Sequence, residues 1–153
     1  MNTTTKTVHA PTSAYRGAAM IALAVGTISY CIGLFNAEMA LNEKGYYLSI
    51  LLYGLFSAVS LQKTVRDKQE HIEVSDVYYM LSWLSLGAAV LLLTIGLYNA
   101  ELLLSEKGFF GMAYTLSLFA SITVQKNIRD MKSVETDTPE QGVSEHFDLE
   151  EDE

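Results

Sequence analysis

The chain has 153 residues, half of them hydrophobic and 18% charged, with a single cysteine and a formal net charge of −8. That length allows one compact unit, and Cys31 alone excludes an internal disulfide and a multi-cysteine metal site. The charge is unevenly placed: residues 133–153 hold nine acidic residues and no Lys or Arg, so the rest of the chain is close to neutral. A run of that kind lacks the apolar surface to offset ordering entropy. Residues 132–153 are therefore expected to be a disordered acidic tail, and residues 1–14 a short disordered arm.

Between these ends lie four segments without Asp, Glu, Lys or Arg: Gly17–Ala37, Gly45–Gln62, Val77–Ala100 and Gly108–Gln125. A bilayer core of about 30 Å needs about 20 apolar residues at 1.5 Å each. The first and third runs exceed that. The second and fourth are slightly short, and Lys44, Lys63, Lys107 and Lys126 at their flanks can make up the difference by snorkelling. A soluble bundle would show a charged stripe on each helix, and these runs show none. The expectation is an all-α membrane protein with spans at about 17–40, 45–63, 77–103 and 108–126. The first run is too long for a signal peptide and lacks a small-x-small cleavage site, so it is read as a retained span. Cys31 sits inside it as a small apolar residue.

Eight of the ten basic residues, among them Arg16, Lys63, Arg66, Lys126 and Arg129, fall on one side of these spans. The positive-inside bias then places both termini in the cytoplasm. Tyr15, Tyr78, Tyr79 and Trp83 are expected at that interface, and Tyr46, Tyr47, Phe109 and Phe110 at the opposite one.

The chain also repeats itself. Aligned at an offset of 63 without gaps, residues 32–67 and 95–130 agree at 16 of 36 positions. Identities cluster in "IGL-NAE--L-EKG" and in "QK--RD", each present twice. The reading is two tandem helical hairpins, residues 15–68 and 77–131, joined by a loop at 69–76 and related as parallel repeats. These duplicated blocks resemble the YiaA/YiaB two-helix domain family of bacterial inner-membrane proteins, over about residues 15–132 and in its longer, duplicated form. The resemblance implies a multi-pass inner-membrane protein and brings no activity, substrate or catalytic residues with it.

The repeated residues are the candidates for function. Glu38 and Glu101 are expected on the last turn of the odd-numbered helices. There they are either solvated at the interface or paired as a cation or proton site. Asn36 and Asn99 need hydrogen-bond partners in an apolar helix, and interhelical bridging is the simpler reading over contact with a polar substrate. Gly33 with Ala37, and Gly96 with Ala100, are small-xxx-small pairs that let helices approach. Glu43-Lys44 and Glu106-Lys107 are read as turn and interface anchors, with a binding loop as the alternative; they precede Gly45 and Gly108, where a turn with φ > 0 is expected. In the last block, Gln62, Lys63, Arg66 and Asp67 match Gln125, Lys126, Arg129 and Asp130. They are read as cytoplasmic anchors or a docking surface, with Lys63–Asp67 and Lys126–Asp130 as i,i+4 ion pairs on helices that leave the membrane.

Enzyme chemistry finds little support. His9, His71 and His146 lack metal-ligand spacing, and there is no phosphate loop, nucleophile elbow or HExxH. No cofactor, metal or nucleic acid is expected. The partners expected are the lipid bilayer and either further copies of the chain or another membrane protein. Two function classes remain: a structural or accessory membrane protein, or a minimal ion or small-solute transporter using the duplicated Asn and Glu.

Overall fold

A computed structural model describes residues 11–137. They form four helices: α1 Ser13–Asn36, α2 Leu41–Gln69, α3 Asp76–Asn99 and α4 Leu104–Asp137. All four are long and apolar enough to cross a membrane. The even helices are longer than their uncharged runs because each takes in charged residues at both ends. At 29 residues, α2 reaches about 44 Å, well past the hydrocarbon core.

Local chemistry sets the boundaries, and several differ from the sequence expectation. Thr12 caps α1, its Oγ1 accepting from the Tyr15 amide at 3.3 Å, so helix begins inside the arm expected to be disordered. The odd helices stop at Asn36 and Asn99, each four residues earlier than expected, where Ala37 and Ala100 turn extended. At the far end, α4 continues to Asp137 into the expected tail, with no Gly or Pro between Gly111 and Pro139 to stop it. The remainder of the expected arm and tail lies outside the described residues.

The end of α2 is a Schellman closure. The Ile72 amide reaches back to the Asp67 carbonyl at 2.9 Å, and His71 takes φ = 57° to allow it. A side chain at that φ is strained where glycine is not. His71→Gly is therefore expected to raise stability by about 0.5–1 kcal/mol, read as a higher melting temperature in detergent.

The helices pair between repeats more than within them. α1 packs mainly on α4, α2 mainly on α3, and α2 and α4 meet in the middle. Contacts fix the directions. Along α1–α4, Gly26 faces Ser117 and Gly33 faces Phe109, so the pair is antiparallel. Along α2–α3, Tyr46 meets Leu92 and Thr64 meets Ser82, again antiparallel. Self-contained hairpins would have packed α1 on α2 and α3 on α4. The chain instead interleaves its copies, because the small residues of each odd helix receive large rings from the even helix of the other copy.

Those rings build the core. Tyr30 is fully buried and donates to the Tyr47 carbonyl at 3.0 Å. Its ring meets the edge of Phe110 at 5.3 Å between centroids. Leu34, Tyr47, Ile50, Leu51, Leu93, Ala113 and Tyr114 complete the cluster. Of the aromatics expected at the outer interface, Tyr47 and Phe110 are buried in this core, while Tyr46 and Phe109 remain partly exposed. Each pair is adjacent in sequence, and consecutive helical positions point about 100° apart, so only one of two can face the core. Outside the core, Phe35, Leu52, Phe56, Leu84, Met112 and Phe119 are exposed, as suits helices solvated by lipid.

Candidate functional site at the short connections

The duplicated Glu-Lys-Gly does not make the turn. It lies in the first turn of α2 and of α4, and no described glycine has positive φ. The true connections are Ala37–Ala40 and Ala100–Leu103. Across each, the two charges close both helix ends. Glu43 Oε2 accepts from the Ala40 amide at 2.9 Å, and Glu106 Oε2 accepts from the Leu103 amide at 2.9 Å. Lys44 Nζ donates to the Phe35 carbonyl at 2.8 Å, and Lys107 Nζ donates to the Tyr98 carbonyl at 3.2 Å. A helix leaves free N–H groups at its start and free C=O groups at its end. Glutamate satisfies the first and lysine the second, each with the sign the helix dipole favours. This explains why Glu and Lys stand together in both copies. Lys44→Met with Lys107→Met is expected to cost about 1–2 kcal/mol in total, measured by denaturant unfolding in detergent.

The other repeated residues surround two recesses at this end of the bundle. The larger, of about 600 Å³, is lined by Glu38, Met39, Asn42 and Glu43 from the first copy, and by Gly96, Asn99, Ala100 and Glu101 from the second, with Tyr46 and Tyr47 beneath. The smaller, of about 280 Å³, is built from the equivalent positions with the copies exchanged: Gly33, Asn36 and Ala37 against Ser105, Glu106, Phe109 and Phe110.

Glu38 and Glu101 lie in the connections rather than on the last helical turn. Both are exposed, and neither makes an ion pair or hydrogen bond among the described residues. Asn36 is exposed too. Asn99 donates Nδ2 to the Ile95 carbonyl of its own helix at 2.8 Å, so it bridges no helices. The glycines of the small-residue pairs do permit close approach, but to rings. A Cβ on Gly33 would fall 2.6 Å from Phe109, and one on Gly96 would fall 2.8 Å from Tyr46. Ala37 and Ala100 are the C-caps, half-buried against the core.

At the opposite end, α2 and α4 carry the "QK--RD" residues on their later turns. The expected Lys63–Asp67 and Lys126–Asp130 pairs do not form; in both copies the aspartate pairs with the arginine beside it. Arg66 donates to Asp67 Oδ1 at 2.7 Å, and Arg129 donates to Asp130 Oδ1 at 3.5 Å. Arg66 also approaches Glu70 at 3.6 Å, so the guanidinium spans both carboxylates. Lys63 and Lys126 are exposed, and Gln62 and Gln125 are half-buried.

Asn42 is a recess residue that the sequence does not single out, and Tyr46 and Tyr47, expected only as interface aromatics, also line the recess. Their signal was present as divergence between copies. Asn42 stands opposite Ser105, and Tyr46-Tyr47 opposite Phe109-Phe110, inside an otherwise repeated block. Among the described residues, no three of His, Cys, Asp and Glu come together so as to hold a metal ion.

Comparison with known proteins agrees with the duplication. The model of the yiaA/B two helix domain matches twice, at residues 15–67 and 78–130. The Escherichia coli inner membrane protein YiaA is 59% identical over 110 residues, 72% of this chain and 76% of that one. The Bacillus subtilis uncharacterized membrane protein YubF is 40% identical over 50 residues, 32% of this chain and 58% of its own length. No solved structure matches. Two family domains in tandem, on four helices fit to cross a bilayer, make this chain a multi-pass membrane protein of the yiaA/B two-helix domain family.

Proposed function

We propose that the protein is a small structural or accessory component of the bacterial inner membrane, with both termini in the cytoplasm, that associates with its own copies or with another membrane protein. One observation carries this reading: the duplicated charged pairs are spent on closing helix ends, at Phe35, Ala40, Tyr98 and Leu103. Residues so engaged serve the scaffold. A wide apolar surface is left over, and α3 presents Val77, Met80, Leu81, Trp83, Leu84 and Leu91 on its free side. Side-chain packing in lipid drives helix association without help from water. Catalysis has no part in this reading. The test is the mass of the particle extracted in native lipid discs without detergent. The proposal expects a dimer or larger, or a co-extracted membrane protein, at stoichiometric yield. A lone monomer under these conditions would contradict it.

A second reading, a minimal ion or small-solute transporter, draws on the placing of Glu38, Glu101 and Asn99 around one recess. It expects flux in proteoliposomes that is lost in Glu38→Gln with Glu101→Gln. Flux that is absent, or unchanged by these substitutions, removes it.

A further inference from the structure

The two recesses began as copies and now differ in chemistry. The larger is lined by three carboxylates, Glu38, Glu43 and Glu101, and by no Lys or Arg. Glu43 is committed through Oε2 to the Ala40 amide, which leaves Glu38 and Glu101, one from each connection. Tyr47 adds an independent observation. It is only 4% exposed, and its hydroxyl makes no hydrogen bond among the described residues. That hydroxyl lies 3.2 Å from a Cβ built on Gly96, which lines the same recess. A phenol held this way lacks a partner unless something in the recess supplies one. The smaller recess has a single carboxylate, Glu106, already bonded to the Leu103 amide, and Phe109 and Phe110 where the larger has tyrosines.

We infer that the larger recess binds an organic ammonium cation carrying N–H donors, of the alkyl diamine class. The uncompensated carboxylates select positive charge. The lack of a convergent metal-ligand group among the described residues points away from a coordinated metal ion. A volume of about 600 Å³ lies within the range of small-molecule sites. Tyr46, partly exposed beside the carboxylates, supplies an aromatic ring that attracts an ammonium group. Glu38, Glu101, the Asn99 Oδ1 and the Tyr47 hydroxyl can accept its N–H groups. The site is one of equilibrium binding and stands whether or not anything crosses the membrane.

The experiment is calorimetric titration of the full chain in lipid nanodiscs with 1,4-diaminobutane at low ionic strength. The expected result is saturable binding at one site per chain. Glu38→Gln with Glu101→Gln should weaken it at least about tenfold, the loss of a charge-assisted pair. Tyr47→Phe, which makes the residue match Phe110, should weaken it at least about tenfold, the loss of one hydrogen bond from a charged donor. Asn36→Ala, in the smaller recess, should leave it unchanged. Absence of saturable binding would overturn the inference. So would equal affinity in the double Gln variant, or equal displacement by potassium, which would reduce the site to bulk negative charge. If Tyr47→Phe lowers the melting temperature, the double Gln variant decides, because exposed carboxylates carry no packing.

Discussion

Tyr30→Ala is expected to destabilise the protein by about 3 kcal/mol, one of the two largest single effects. Tyr30 is fully buried at the meeting of α1, α2 and α4, packed against Phe110 and Tyr114 and donating to the Tyr47 carbonyl. In lipid the apolar transfer contribution is small, since lipid tails solvate a side chain as well as a core does. The lost contacts and the cavity remain, and they set the cost. Tyr30→Phe keeps the ring and removes one hydrogen bond, so it should cost about 1 kcal/mol. Denaturant unfolding in mixed micelles, followed by tryptophan fluorescence, gives both values. Equal losses for the two variants would mean that the hydroxyl, not the ring, holds the three helices together.

Gly26→Leu is the second. A Cβ on Gly26 would lie 2.7 Å from Ser117 Oγ, 2.9 Å from the Ser117 backbone nitrogen and 3.2 Å from the Ala113 carbonyl oxygen. Two of these three atoms are backbone, so no rotamer change relieves the clash and α1 must move away from α4. Overpacking of this kind costs about 3 kcal/mol. Gly17→Leu, where a Cβ meets nothing within 4 Å, should change stability by less than about 0.5 kcal/mol. The same substitution on one helix, nine residues apart, thus separates packing from helix propensity.

How far the sequence carried the account follows from which physics each feature obeys. Four spanning helices were legible because runs of 18 to 24 uncharged residues have few other solutions in lipid. The duplication was legible as identity at a fixed offset. Helix ends were less so. The Gly after Glu-Lys suggested a turn, yet Glu43 and Glu106 cap from the third helical position, which moves each helix start ahead of the glycine. Pairing was not legible at all. Short connections favour hairpins, and only the fit of Gly33 to Phe109 and of Gly96 to Tyr46 tells that each odd helix prefers the other copy's partner. Likewise, Arg66 and Asp67 are adjacent in sequence and bind each other, while the i,i+4 rule pointed to Lys63. Among the candidate residues, the sequence found the repeated ones. Asn42, Tyr46 and Tyr47 carry the difference between the recesses, and because they diverge between the copies the repeat does not mark them; Tyr46 and Tyr47 were legible only as interface aromatics.

The central structural claim is that the two copies are held to each other more than each is held to itself. Cleavage of the folded chain tests it most directly. A protease site inserted between Ile72 and Val74, in the exposed loop that joins α2 to α3, allows the full chain to be cut after purification in detergent. Interleaved packing predicts that the two halves stay together, with an unchanged elution volume, and that Gly26→Leu makes them separate on cleavage. Separation of the halves with Gly26 intact, each keeping its helical content, would show two self-contained hairpins and contradict the account.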